Sequence, residues 1–452
     1  CKPCRRNLAG MREQIKVWAL WAGRLPPIGW LFLVYYRAAA WFLRISLPPV
    51  EAVLLRGSYV SGQLVPGLSD LDSEVLLAPQ PDMTEASASI HRRYALVQRF
   101  FPFVQDPFVR TRAEFELCRR FQHEWLLYSH WSCLSGEGPP APLPDQPLPL
   151  LRLALRELTK NLPHCFYAAP PNGRLAQARL NPDRLDILKR LCAALAIESP
   201  YLGELTEMRL HLQRNHYLTR QPRLYLARAQ VAYLRVLEAV ARPLVGFSCT
   251  VPERLLSSGG CRYHQGKLYL LADGCSDQQL VDRLLDEVSG WRPPAPEWSL
   301  SYPEPILFSS PLLPLAHLSF ASSFEAGVLQ AQGYQLPQPY WLPTLYRELA
   351  DGIYLLRKKL PQRQRFLCYL QDYVVGVYPA LALALDHGVR AATPEQAAQL
   401  YQDHYDDRYA GLLADWSKDL RAQSRQRLEE KPLVWLAFLE AFHQDLLRRH
   451  AA

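Results

Sequence analysis

Apolar positions are unevenly spread along the chain, and their spacing separates helices from strands. From Ile28 to Ile45 nearly every position is apolar, with Trp30 through Tyr36 in one run, interrupted by Arg37 and Arg44. These arginines are seven residues apart and share a helix face, and Pro26-Pro27 and Pro48-Pro49 bracket the segment. The pattern predicts a core helix with one wet stripe. An interfacial helix on a membrane is the second reading, and no membrane span is expected from a stretch this short. Val50 to Leu55 reads as a strand running into a turn at Arg56-Gly57-Ser58, and Leu71 to Leu77 as a second strand. Thr84 to Arg99 has helical spacing, Phe103 to Val109 reads as a third strand, and Arg112 to Trp125 is again helical.

Residues 135–150 are rich in Pro and Gly and predict a linker. Beyond them, helices are expected at Leu151–Lys160, Arg184–Ile197 and Pro222–Val240. A hairpin at Arg262–Leu271 turns at Gln265-Gly266, and a helix capped by Ser276 follows. The span 292–343 gives no clear pattern. From Pro343 onward the spacing is helical, with Thr393-Pro394-Glu395 as a start signal. The fold class expected is α+β: a mixed sheet with helices in residues 11–134, counted from Met11. A helical region with a small β patch is expected at 151–345 and a helical region at 346–452.

Composition narrows the field only slightly. The 452 residues are 49% hydrophobic and 21% charged, which excludes a disordered chain. Fifty-one basic against 43 acidic residues give +8, compatible with phosphate-bearing partners but far from a nucleic-acid arm. Ten cysteines are too few for a disulfide framework at this length, and Cys1 and Cys4 form a lone C-x-x-C without a second pair. Reduced thiols in a cytoplasmic protein are the expectation.

One segment concentrates chemistry: Gly57-Ser58-Tyr59-Val60-Ser61-Gly62, then Asp70-Leu71-Asp72. On a strand Asp70, Asp72 and Glu74 project to one face. Adjacent carboxylates repel, and a shared divalent cation relieves the conflict; hard oxygen donors suit Mg²⁺. A Gly-Ser turn after a strand offers backbone N–H groups and a hydroxyl to a phosphate. The run GSYVSGQLVPGLSDLDSEV at residues 57–75, led in by Val53-Leu54-Leu55, resembles the signature of the nucleotidyltransferase superfamily that shares the DNA polymerase β fold. The likeness covers roughly residues 28–125.

The resemblance implies that Gly57 and Ser58 bind the outer phosphates of a nucleoside triphosphate. Asp70 and Asp72 would hold Mg²⁺ or Mn²⁺, and a third carboxylate on a later strand would complete the metal shell or act as base. Asp106 is the candidate for that place, inside an apolar run where a lone carboxylate is costly, although Pro107 follows it. Glu74 sits one pleat further along, and helical spacing points Glu114 and Glu116 to solvent. Arg156 and Lys160 share a helix face and are read either as reaching the triphosphate or as an exposed basic face. The implied activity is transfer of a nucleoside monophosphate to an acceptor hydroxyl with release of pyrophosphate. The acceptor would be a small molecule, a protein, RNA or another nucleotide. An inactive nucleotide- or RNA-binding module and a peripheral membrane protein using residues 28–45 are the alternatives. Gly260–Lys267 lacks P-loop spacing, and Asp403, His404 and Asp407 read as a solvated helix face rather than a metal site.

Overall fold

The computed structural model describes residues 22–23, 25–60, 64–65, 69–78, 82–120, 131–138, 145–155, 158, 182–214, 221–244, 261–264, 267–286, 305–309, 312, 338–360, 363–417 and 432–450. The chain is mixed α+β and largely helical, with a four-stranded mixed sheet near its start.

Helix α1 (Pro26–Ser46) starts at the Pro26-Pro27 pair, where missing N–H groups cost nothing, and ends before Pro48-Pro49. Its buried residues Tyr36, Ala39, Ala40 and Leu43 form one stripe at helical spacing. Strand β1 (Ala52–Arg56) leads into a 3₁₀ turn at Gly57–Tyr59. Strand β2 (Asp72–Leu77) returns antiparallel to it, with Arg56 opposite Asp72 and Leu54 opposite Glu74. Helix α2 (Met83–Phe100) is capped by Asp82, whose side chain accepts from the Glu85 N–H at 2.9 Å.

Strand β3 (Phe108–Thr111) lies parallel to β2, with Glu74 opposite Phe108. Strand β4 (Ser132–Gly136) pairs antiparallel with the other side of β1, so the order is β3-β2-β1-β4. The register shifts between Val53 and Leu54, and Gly136 at φ 79° closes the irregular end: a Cβ there would lie 2.0 Å from the Glu51 carbonyl oxygen. Ser135 and Gly136, from the head of the Pro/Gly-rich stretch, thus belong to a strand, and residues 147–155 are helical.

Alternation along β2 gives the sheet two unlike faces. Leu55, Leu71, Val75, Leu77 and Val109 pack with α1 and α2, and Ser73 Oγ meets Tyr94 Oη of α2 at 2.7 Å. Ala52, Leu54 and Leu76 face the other way, onto Phe115 and Trp131. Phe115 belongs to helix α3 (Arg112–Arg120). This second face also meets a later helix, Gln338–Lys359, through the tilted rings of Phe108 and Tyr354, 5.0 Å between centroids.

The middle of the chain builds a separate core from residues 150–155, Leu158, α4 (Pro182–Ala194), α5 (Pro200–Arg214), α6 (Pro222–Leu244), and α7 (Asp277–Asp286). Beside it, β5 (Cys261–His264), β6 (Lys267–Leu271) and β7 (Pro305–Phe308) make a small sheet in that order. Ser276 Oγ accepts from the Gln279 N–H as the α7 cap.

The last core is formed by α8 (Gln338–Lys359), α9 (Arg363–Asp372), α10 (Tyr378–Ala382), α11 (Pro394–His404), α12 (Arg408–Ser417) and α13 (Pro432–His450). Thr393 caps α11 by accepting from the Gln396 N–H at 3.1 Å. Two π-helical turns, Tyr373–Val377 and Leu383–His387, flank α10. Leu117 and Cys118 of α3 are part of this core, so the first helix after β3 is shared between the sheet and the later helices.

Candidate active site at one end of the sheet

Gly57 follows Arg56 directly and sits at φ 74°, a left-handed conformation that a β-branched residue would hold only under strain. The turn it opens is closed by the Val60 N–H donating to the Gly57 carbonyl at 3.1 Å. Gly57 and Ser58 are half-buried. Because Arg56 is the register partner of Asp72, this turn leaves the sheet at the edge where the Asp70-Leu71-Asp72 segment enters it.

The approach to the aspartates is held in place. Ser69 accepts from the Val65 N–H through its Oγ at 2.8 Å and donates its own N–H to the Val65 carbonyl at 2.8 Å. Tyr36 Oη of α1 donates to the Ser69 carbonyl. Burial pushes the Tyr36 phenol well above its ordinary value of 10, and the negative charge of Asp70 pushes it further the same way. Asp70 follows the anchored Ser69 directly and is half-buried. Asp72 is half-buried and opens β2.

The third predicted residue stands on the neighbouring chain segment. The Leu71 N–H donates to the Phe103 carbonyl at 3.0 Å and the Gln105 N–H to the Leu71 carbonyl at 3.2 Å, making an isolated parallel bridge between Leu71 and Val104. Regular pairing resumes only at Phe108, one residue out of step with that bridge. The extended strand expected at Phe103–Val109 is thus broken over residues 105–107, where Pro107 has no N–H to give. Asp106 lies in that break, between the Leu71–Val104 bridge and the Glu74–Phe108 pair. Its Oδ1 accepts from Gln98 Nε2 of α2 at 3.0 Å. Since α2 covers the Ser73 face, Asp106 is turned towards that helix, while Asp72 alternates with Ser73 and faces the other way.

The backbone therefore gathers Gly57, Ser58, Asp70, Asp72 and Asp106 at one end of the sheet but does not converge the three carboxylates. Among the described residues no three His, Cys, Asp or Glu side chains form a group able to hold a metal ion. The donor chemistry of Asp70 and Asp72, hard carboxylate oxygens, suits Mg²⁺ or Mn²⁺; Asp106, engaged with Gln98, does not complete the set in this arrangement. Lys160 and Arg156 lie outside the described residues.

The other acids that competed for the third place are accounted for. Glu74 is buried between two arginines, with Arg110 Nε at 2.8 Å and Arg56 Nη1 at 3.8 Å. Arg56 stacks over Phe108 at 3.8 Å and Arg110 over Tyr354 at 4.3 Å. Glu116 pairs with Arg119 on the same helix. Glu114, expected at the surface, is instead fully buried. It closes a capping box with Thr111: the Thr111 N–H donates to Glu114 Oε2 at 2.7 Å and the Glu114 N–H to Thr111 Oγ1 at 3.3 Å. That turn aims the carboxylate at Arg357 of α8, which donates to both oxygens at 2.8 and 3.0 Å, and at His443 Nε2 of α13 at 2.8 Å.

Arg357 also donates to Glu440 at 2.7 and 2.6 Å and to the Val109 carbonyl at 3.1 Å. Burial by itself would raise the Glu114 carboxyl, but the Arg357 charge and the His443 hydrogen bond overcome it and hold the group well below its ordinary 4.5. Sequence reasoning missed this network; the Thr111-x-x-Glu114 spacing was its one readable trace. Asp407, weighed earlier with Asp403 and His404, is a helix cap that accepts from the Ala410 N–H at 2.8 Å and from Tyr401 Oη at 2.7 Å. Among the described residues Cys118, Cys133, Cys192 and Cys275 form no disulfide. No family model matches the chain, and no curated protein or solved structure does.

Proposed function

We propose that the chain is a nucleotidyltransferase of the DNA polymerase β-like superfamily. It would move a nucleoside monophosphate from a nucleoside triphosphate to an acceptor hydroxyl in the cytoplasm. The observation that carries this reading is that strand pairing brings the Gly57-Ser58 turn and Asp72 to one end of the sheet, where the segment holding Asp106 also runs. The signature residues are spread over fifty positions of sequence, and nothing but the strand order requires them to meet. A Gly-Ser turn beside an Asp-x-Asp segment supports the reading, with Asp106 on the neighbouring segment but held by Gln98.

In the reaction the acceptor oxygen bonds to the α-phosphorus as the bond to the bridging β-oxygen breaks, and pyrophosphate leaves. The Gly57-Ser58 turn would hold the outer phosphates by backbone N–H groups and one hydroxyl, with Lys160 as a further phosphate contact. Asp70 and Asp72 would hold Mg²⁺ or Mn²⁺, which when bound neutralises phosphate charge. Asp106 would accept the proton of the acceptor hydroxyl, exchanging its bond to Gln98 for one to the substrate.

Pyrophosphate release from each of the four nucleoside triphosphates, with Mg²⁺ or Mn²⁺ and cell extract as acceptor source, tests the proposal. Release that disappears in Asp70→Asn/Asp72→Asn supports it. Nucleotide binding without release under every condition would make the chain a binding module, and absence of both would reject the reading.

A further inference from the structure

Helix α1 carries two opposite faces. Tyr36, Ala39, Ala40 and Leu43 are buried against the sheet and α2. On the other side Trp30, Val34, Trp41 and Ile45 lie along one stripe, with Arg37 at the turn between Val34 and Trp41, and exposures of 63, 40, 59 and 55%. The stripe is about 22 Å long at 1.5 Å rise per residue. Phe100 extends it sideways: it is 64% exposed, its ring lies 6.2 Å from that of Phe42, and its carbonyl accepts from Tyr35 Oη. Two large indoles held out to water on one helix face need an explanation, because a solvated helix would carry polar residues there.

The charges beside the stripe identify what it meets. Arg37 and Arg44 border it on one side, both exposed, and α1 contains no Asp or Glu. Arg93 and Arg99 of α2 are exposed as well. Among the described residues none of these four arginines has an ion pair. A second copy of the chain packed on this face through a two-fold axis would set arginine against arginine. An anionic lipid surface offers the reverse: acyl chains to the apolar stripe, headgroup charge to the guanidinium groups, and an interfacial zone that indoles prefer. The helix is long and apolar enough to cross a membrane by length and composition, but spanning would pull Tyr36 and Leu43 out of the domain core.

We propose that the Trp30–Val34–Trp41–Ile45 face of α1, with Arg37 and Arg44 at its edge, docks the protein flat on an anionic membrane surface such as the cytoplasmic leaflet. The inference stands independently of nucleotidyl transfer. The test is flotation of the full chain with vesicles of phosphatidylcholine alone or of phosphatidylcholine with phosphatidylserine, for wild type, Trp30→Ser/Trp41→Ser and Arg37→Gln/Arg44→Gln. The expected result is binding that needs phosphatidylserine, falls at least about tenfold in the tryptophan pair, and loses its lipid preference in the arginine pair. The four side chains are exposed, so unchanged thermal melting should accompany the loss. A nitroxide at Trp30→Cys, reporting lipid contact, gives a second readout if a double variant fails to fold. No flotation of wild type, or equal flotation of the tryptophan pair, overturns the proposal. A dimer that dissolves on tryptophan substitution without any flotation overturns it in favour of self-association, and protection of the stripe by the chain's own residues 1–21 overturns it likewise.

Discussion

At Gly57 the backbone sits in the left-handed region, so the residue serves both the turn and any phosphate that approaches it. Gly57→Val should cost about 1–2 kcal/mol of stability from the φ angle alone, and should abolish nucleotide binding. Ser58→Ala removes one hydroxyl and should weaken binding by about 1 kcal/mol, roughly fivefold. Calorimetric titration with a non-hydrolysable triphosphate and thermal melting separate the two effects; equal affinity in wild type and Gly57→Val would place the phosphates elsewhere. Asp70→Asn/Asp72→Asn should eliminate turnover while leaving the melting temperature unchanged or slightly higher, because it relieves the repulsion of two half-buried carboxylates. Unaltered pyrophosphate release in the folded double variant would remove these residues from the chemistry.

Between elements, the main tie is Arg357, which joins α8 to α3, to α13 and to the β3 backbone with no exposed surface of its own. Arg357→Met should destabilise by about 3–5 kcal/mol, since it strands two carboxylates, Glu114 fully and Glu440 almost fully buried. Replacing Arg357, Glu114, Glu440 and His443 together by apolar residues of similar volume should recover most of that loss, as denaturant midpoints would show. Glu114 is held below its ordinary 4.5 in the folded chain, so its contribution is present above that pH and lost as the pH falls from 4.5 towards the folded value. Urea midpoints at neutral and acid pH should therefore converge for wild type and Glu114→Gln as acid is added.

Much of the element pattern was legible. The strands at β1 and β2, the helices α1 and α2 and the hairpin at β5 and β6 follow from periodicity and turn residues. Strand β4 was not, because Ser-Cys-Leu-Ser-Gly has no apolar alternation, and its place in the sheet is set by pairing with β1. Helical spacing put Glu114 at the surface since its partners, Arg357 and His443, are 243 and 329 residues away and leave no local mark. For the site, sequence grouped Gly57, Ser58, Asp70 and Asp72. The turning of Asp106 to Gln98 depends on a break in β3 that only Pro107 hinted at.

Across the whole molecule, the sheet and the later helices share buried residues. Leu117 and Cys118 are buried among helices α8 to α13, and Phe108 carries Lys358 of α8 over its ring at 3.8 Å. A fragment ending before Gln338 should therefore lack a cooperative melting transition and give a poorly dispersed amide spectrum, because Glu114, Leu117 and Phe108 lose their cover; a well-dispersed spectrum from it would refute this coupling. The same tie sets a timetable for synthesis. Glu114 leaves the ribosome 243 residues before the arginine that neutralises it, an interval of roughly 10–50 s at ordinary elongation rates. For that time the nascent sheet has an unpaired acid and an uncovered apolar helix where its second face will be closed. The early domain can be translated first, yet it must wait for its counter-charge, and a holding chaperone on the emerging α3 would have its longest opportunity there.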